Sequence, residues 1–145
     1  MRRRVTSPDG LATALTRVGD RWSLLIVGAL LGGPRRFGEL SDELGGIAPN
    51  VLSQRLRQLE ADRLVVSQPY SSRPVRYGYE LTARGAALAG ALRLLSHWGS
   101  VHVGGTEGVE PTVHAACGTV AEPRWWCATC DRTLDDGELD DVRWV

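Results

Sequence analysis

The sequence predicts a mainly α domain with a small β wing, an α+β class, followed by a short C-terminal module with an organisation of its own. Three observations carry this. Apolar residues recur at helical spacing through most of residues 8–100. One stretch, Leu64–Leu81, breaks that period with two runs rich in Val, Tyr and Leu around Ser71-Ser72-Arg73-Pro74. The charge also changes sign along the chain. Residues 1–100 carry 14 Arg against 8 acidic residues, net +6, whereas residues 101–145 carry 3 Arg against 9, net −6, within a formal total of zero. A basic body favours a phosphate-bearing partner. No apolar run reaches the roughly 18 residues of a membrane span. No signal-peptide region follows Arg2-Arg3-Arg4, so cytoplasm is the expected compartment.

The elements follow in order. Residues 1–6 read as a weakly ordered arginine-bearing tail. Ser7-Pro8 is a helix-start signal, and Leu11, Ala14, Leu15 and Val18 space a first short helix that ends near Gly19. Asp20 caps the next, in which Trp22, Leu25, Ile26, Ala29 and Leu30 line one face and Leu24, Val27 and Leu31 widen it. So apolar a helix belongs in a core. Gly32-Gly33-Pro34 stops it. Arg35-Arg36 reads as a very short extended piece, and Phe37–Leu44 as a third short helix.

Gly45-Gly46-Ile47-Ala48 then turns into Pro49–Ala61, where Leu52, Leu56 and Leu59 make one apolar stripe. Asn50, Ser53, Gln54 and Arg57 fall opposite. Asn, Gln and Arg form bidentate pairs with base edges in a major groove. Pro49 suits the first helical position, while Ala48 cannot cap and leaves amides free for water or a phosphate. A short helix, a glycine turn and a polar-faced helix are the helix-turn-helix pattern. Leu64–Tyr70 and Val75–Leu81 form the wing, with Tyr77, Tyr79 and Leu81 on one face. Arg73 and Arg76, at or near its tip, are placed to reach phosphates or the minor groove, and Arg36 is a further candidate DNA contact; the plain alternative is a solvated hairpin tip. Thr82 caps a long helix whose Leu88, Leu92, Leu95 and Trp98 form a stripe suited to a homodimer interface, or else to the chain's own core. His97 there reads as structural. Residues 101–113 read as a linker.

Gly19-Asp20-Arg21-Trp22, Gly33-Pro34-Arg35-Arg36-Phe37-Gly38-Glu39-Leu40, the string from Gly46 to Glu60, Val75–Thr82 and Trp98-Gly99 now stand at consistent distances. Together they resemble the HxlR-type winged helix-turn-helix regulators, relatives of the MarR family, over about residues 8–100. The resemblance implies a bacterial or archaeal homodimer on double-stranded operator DNA. It places Pro49–Ala61 in the major groove, the wing at the flank and terminal helices at the interface. Some members of the family sense oxidants or electrophiles through a Cys just before the first helix. Ser7 stands there instead, which argues against that mode of sensing. Ala48 replaces a usual capping Ser. The sign of regulation and any small-molecule effector are not legible.

The module 114–145 holds all three cysteines. His114-Ala-Ala-Cys117-Gly118 and Cys127-Ala-Thr-Cys130-Asp131 stand nine residues apart. One nitrogen and three thiolates suit a structural zinc site in a metal-ribbon-like module, and so small a tail would gain its fold from the metal. Thr119–Trp126 is expected to form the intervening hairpin, with Val120, Trp125 and Trp126 as packing residues. The alternatives are iron on the same ligands, a redox-active Cys127/Cys130 pair, or free thiols. His102, in the linker, is a lesser ligand candidate. Two other functions compete with DNA regulation: a winged-helix protein-interaction module, and a thiol- or metal-responsive regulator using the tail. No set of residues completes a catalytic constellation, so an enzyme is not expected.

Overall fold

The computed structural model describes residues 9–103 and 112–141. The arginine tail, Ser7-Pro8, most of the linker and the last four residues lie outside them. The chain divides into two compact units, one up to Arg93 and one from Leu94 onward.

The first unit begins with α1 (Asp9–Val18) and α2 (Arg21–Leu30). Asp20 caps α2 by accepting from the Ser23 amide at 3.0 Å. The buried face of α2 is Ser23, Ile26, Val27 and Leu30. That corrects the expected face in one respect. The stripe is centred one step away from Leu25, which falls on the solvent side. The Ser23 hydroxyl is buried beside the Asp20 carboxylate.

β1 (Arg35–Arg36), α3 (Phe37–Leu44) and α4 (Pro49–Ala61) follow at their expected bounds. In the turn between the two helices Gly45 and Gly46 have φ of 42° and 80°, which glycine adopts without a Cβ penalty. Ile47 anchors that turn in the core. Leu52, Leu56 and Leu59 of α4 meet Ile26, Val27, Leu30 and Leu40 in one cluster. Each such side chain contributes about 1.5–3 kcal/mol by leaving water.

α4 ends in a Schellman arrangement. Arg63 is left-handed at φ 60°, its amide bonds the Glu60 carbonyl at 2.9 Å, and the Leu64 amide reaches back to Leu59 at 2.9 Å. This reversal feeds β2 (Val65–Ser72), which pairs antiparallel with β3 (Val75–Leu81). The hairpin differs from expectation. β2 ends two residues later, so the turn shrinks to Arg73-Pro74. Tyr70 is the extra residue of a bulge between Pro69 and Ser71. β1 adds to the far side of β3, giving the order β1-β3-β2. β2 is therefore an edge strand, where Pro69 is tolerated. Of the face shared by Tyr77, Tyr79 and Leu81, only Tyr79 and Leu81 pack on the core; Tyr77 is exposed.

Thr82 caps the next helix as expected, accepting from the Gly85 amide at 3.1 Å. Its hydroxyl also donates to the Arg63 carbonyl at 2.7 Å. The expected single long helix is in fact two, α5 (Ala83–Ala86) and α6 (Ala89–His102). α5 is drawn against the start of the wing: a Cβ on Gly85 would lie 2.1 Å from the Leu64 carbonyl oxygen. α6 carries two residues expected in the linker, Val101 and His102, and it contains the division between the units.

Beyond α6 the tail forms two small hairpins. Val113 bridges to Val120, and β4 (Trp126–Cys127) pairs with β5 (Arg132–Thr133). A 3₁₀ turn follows at Asp136–Asp141. The expected hairpin over Thr119–Trp126 is not the one that forms: each hairpin closes around one of the His/Cys pairs instead. Val120, Trp125 and Trp126 are exposed rather than packed. Among the described residues from Leu94 onward no side chain is buried.

Candidate nucleic-acid interface

α4 presents two opposed faces. With Leu52, Leu56 and Leu59 inward, Asn50, Gln54 and Arg57 are exposed and Ser53 is half-buried. Arg57 Nε donates to the Ser53 carbonyl at 3.3 Å, which lays its side chain along the helix. Ala48 offers no side-chain cap, and its carbonyl takes the Val51 and Leu52 amides at 3.0 Å each. The helix start, with its partial positive charge, is thus left without a side-chain cap.

The orientation of this helix is set by residues that the helical pattern alone does not single out. Arg55 Nε lies 3.2 Å from the Asp20 carboxylate, joining α4 to the cap of α2. The approach lacks hydrogen-bond alignment and acts as a charge contact. Partial burial alone would raise the Asp20 carboxyl. The Ser23 hydrogen bonds and the Arg55 charge outweigh it and hold Asp20 below its ordinary value. At the other end of α4, Asp62 pairs with Arg17 of α1 at 3.1 Å. Glu60 Oε1 accepts the Ser67 amide at 3.1 Å, tying α4 to the wing.

The wing brings together residues that are far apart in sequence. Pairing of β1 with β3 sets Arg36 opposite Gly78, and the bulge aims Tyr70 at it, with the Arg36 guanidinium 4.3 Å from the ring centroid. Arg36, Phe37, Tyr70, Arg76 and Tyr77 line an open cleft of about 380 Å³. Two exposed guanidinium groups on one cleft suit an oxyanion such as a backbone phosphate. Arg73 stands apart from it, exposed at the hairpin turn. Tyr70 was not legible as a site residue, because its place depends on a bulge and on a third strand two residues long. Arg35 is used structurally, with Nε 3.3 Å from Glu43.

A helix-turn-helix with a polar-faced second helix, followed by a three-stranded wing, is now complete. The HxlR-like helix-turn-helix family model matches residues 17–107. The chain belongs to that family. The HxlR-like relatives include the HTH-type transcriptional regulator Rv3095 of Mycobacterium tuberculosis, 41% identical over 127 residues, 87% of this chain and 80% of that one. The solved structure of the reduced transcriptional regulator YodB from Bacillus subtilis is 30% identical with a TM-score of 0.58, covering 69% of this chain and 97% of that one. That of PA1374 from Pseudomonas aeruginosa, assigned as a transcription factor, is 36% identical with a TM-score of 0.65, covering 88% and 87%. This HxlR-like chain is therefore a winged helix-turn-helix DNA-binding regulator by family. Among the described residues no helix is long and apolar enough to cross a membrane.

The stripe expected at a dimer interface divides in two. Leu88 and Leu92 pack against the core of the first unit. Leu95 and Trp98 belong to the second unit and are 54% and 55% exposed, with Leu94 and Val101 also uncovered. The alternative of a purely internal role is met by the first pair and not by the second.

The His/Cys residues stand as two pairs. His114 Nδ1 lies 3.3 Å from Cys117 Sγ. Hydrogen bonds from the Thr119 hydroxyl and amide hold the Cys117 thiol below its ordinary value. Amides of Cys130 and Thr129 do the same for Cys127, while Cys130, which shares a hydrogen bond with Cys127, is pushed up. No group of three or more His, Cys, Asp or Glu converges on one point among the described residues. Arg132, beside the second pair, is held by both carboxylate oxygens of Glu138, whose pKa falls to about 2 through that bond.

Proposed function

We propose that this HxlR-like protein acts as a homodimer on operator DNA, with α4 in the major groove. Asn50, Ser53, Gln54 and Arg57 contact base edges, and Arg36, Arg73 and Arg76 hold the phosphate backbone. The observation that carries this reading is the opposition on α4 of a fully buried leucine stripe and an exposed Asn/Gln/Arg face. The arginine-lined cleft of the wing supports it. Dimerisation rests on the uncovered apolar side chains of α6, Leu94, Leu95, Trp98 and Val101, since contiguous exposed apolar surface marks a contact with another surface. The net charge of +6 over residues 1–100 favours association with DNA.

The test is binding of the full chain to DNA from upstream of its own gene, against scrambled duplex, over a range of salt. Operator binding should exceed non-specific binding by about 10³-fold or more. The logarithm of affinity should fall linearly with that of salt concentration. Equal weak binding to both duplexes, or none, sinks the reading and leaves the protein-interaction module. Sedimentation of the free protein reports the dimer separately.

A further inference from the structure

The tail presents two half-sites that nothing in the DNA-binding reading uses. In the first, the Val113–Val120 bridge frames His114-Ala-Ala-Cys117. The His114 carbonyl accepts the Gly118 amide at 2.8 Å, the His114 amide donates to Thr119 at 2.8 Å, and Gly118 is left-handed at φ 71°. In the second, β4 and β5 frame Cys127-Ala-Thr-Cys130, and Asp131 is left-handed at φ 53°. The two loops have the same plan: two donors with two residues between them, then a left-handed residue that turns the chain back.

The donor geometry also fits. His114 Nδ1 and Cys117 Sγ are 3.3 Å apart. Two ligands of one tetrahedral zinc, at bond lengths of about 2.0 and 2.3 Å, lie about 3.5 Å apart. The surrounding unit lacks what would otherwise hold it. No described side chain from Leu94 onward is buried, and Val113, Val120, Trp125 and Trp126 are each about half exposed. A module this small folds on a staple rather than on a core. The staple has to join the two hairpins, because each pair alone fills only half of a tetrahedral shell.

We propose that one Zn²⁺ closes the two hairpins on each other, bound by His114, Cys117, Cys127 and Cys130 as a four-coordinate structural site. The half-sites are preformed and the ion brings them together. On binding, three S–H bonds break and three Zn–S bonds form. The three protons pass to solvent, neutral His114 gives a ring-nitrogen lone pair, and no electron is transferred. Three thiolates and one Zn²⁺ leave a net charge of −1. All four coordination positions are filled by the chain, so the site is closed to substrate.

The experiment is metal analysis of the full chain, together with thiol counting before and after chelation and with the absorption spectrum of the Co²⁺-exchanged protein. One zinc per chain is expected. Three thiols should react slowly until zinc is removed, and the cobalt spectrum should be that of a tetrahedral three-thiolate site. His114→Ala and Cys130→Ser, one from each hairpin, should each weaken zinc binding by more than the roughly 10–100-fold lost with an outer-shell partner. No zinc with three freely reacting thiols overturns the proposal. So does a Cys127–Cys130 disulfide in the isolated protein, one zinc per two chains, or undiminished zinc in His114→Ala. The cobalt spectrum of the unaltered chain counts thiolates without any variant, and two thiolates overturn the four-ligand site even where a variant fails to fold.

Discussion

Arg55 of α4 meets Asp20, the cap of α2, at 3.2 Å. Asp20 thus has two tasks: it accepts the Ser23 amide and it receives the guanidinium. Asp20→Ala should destabilise the protein by about 1–2 kcal/mol, mostly through the lost cap. Asp20→Asn should cost less than about 1 kcal/mol, since it keeps an acceptor and loses only a half-exposed ion pair. The pH dependence has a definite sign. The folded pKa of Asp20 lies below its ordinary value, so its contribution is complete above the ordinary carboxylate range. It is lost as pH falls from there through the folded value. Urea melts of the wild type and Asp20→Asn should converge as the solution is acidified; a gap that widens would contradict this account.

Arg63 is a non-glycine residue at φ 60°, a conformation that costs an L-residue about 1 kcal/mol or more. Arg63→Gly should therefore raise stability by up to about 1 kcal/mol, partly offset by the greater freedom of glycine in the unfolded chain. Gly85→Ala should do the reverse. Its Cβ would sit 2.1 Å from a backbone oxygen, and relief needs a backbone shift costing roughly 1–3 kcal/mol. Thermal melts of the two variants should move in opposite directions.

The two proposed classes of DNA contact should separate by their response to salt. Gln54→Ala or Arg57→Ala should cost about 1–3 kcal/mol of discrimination between operator and altered base pairs. Arg73→Ala or Arg76→Ala should weaken binding to every sequence. In a dimer each removes two phosphate contacts, so the log–log salt slope should become shallower by about 2. Titrations at several salt concentrations decide it, and an unchanged slope would remove the wing from the phosphate contacts.

The divided stripe of α6 gives another contrast. Trp98→Glu should leave the melting temperature of the first unit nearly unchanged and shift sedimentation from dimer to monomer. Leu92→Ala should instead destabilise the first unit by about 1–3 kcal/mol, as expected for truncating a partly buried leucine. Dimer retained in Trp98→Glu would remove α6 from the interface.

Much of this molecule was legible in the residues alone. The spacing of Leu52, Leu56 and Leu59, with Pro49 marking the start, made α4 legible, and Phe37, Leu40 and Leu44 did the same for α3, because a helix places every third or fourth side chain on one face whatever it packs against. Asp20 and Thr82 were readable as caps because capping is settled within three residues of chain. Which apolar residues are finally covered was another matter. Leu25, Leu95 and Trp98 satisfy the helical pattern as well as Ile26 and Leu92 do, yet they end exposed while Ile26 and Leu92 are covered. The Arg36–Tyr70 contact needed a third strand, a bulge and a 34-residue separation to be closed. In the tail the His/Cys spacing was visible, while the way the hairpins close around each pair was not. Local periodicity follows from the backbone's own geometry, whereas pairing between distant segments is decided by the entropy and burial of the whole chain.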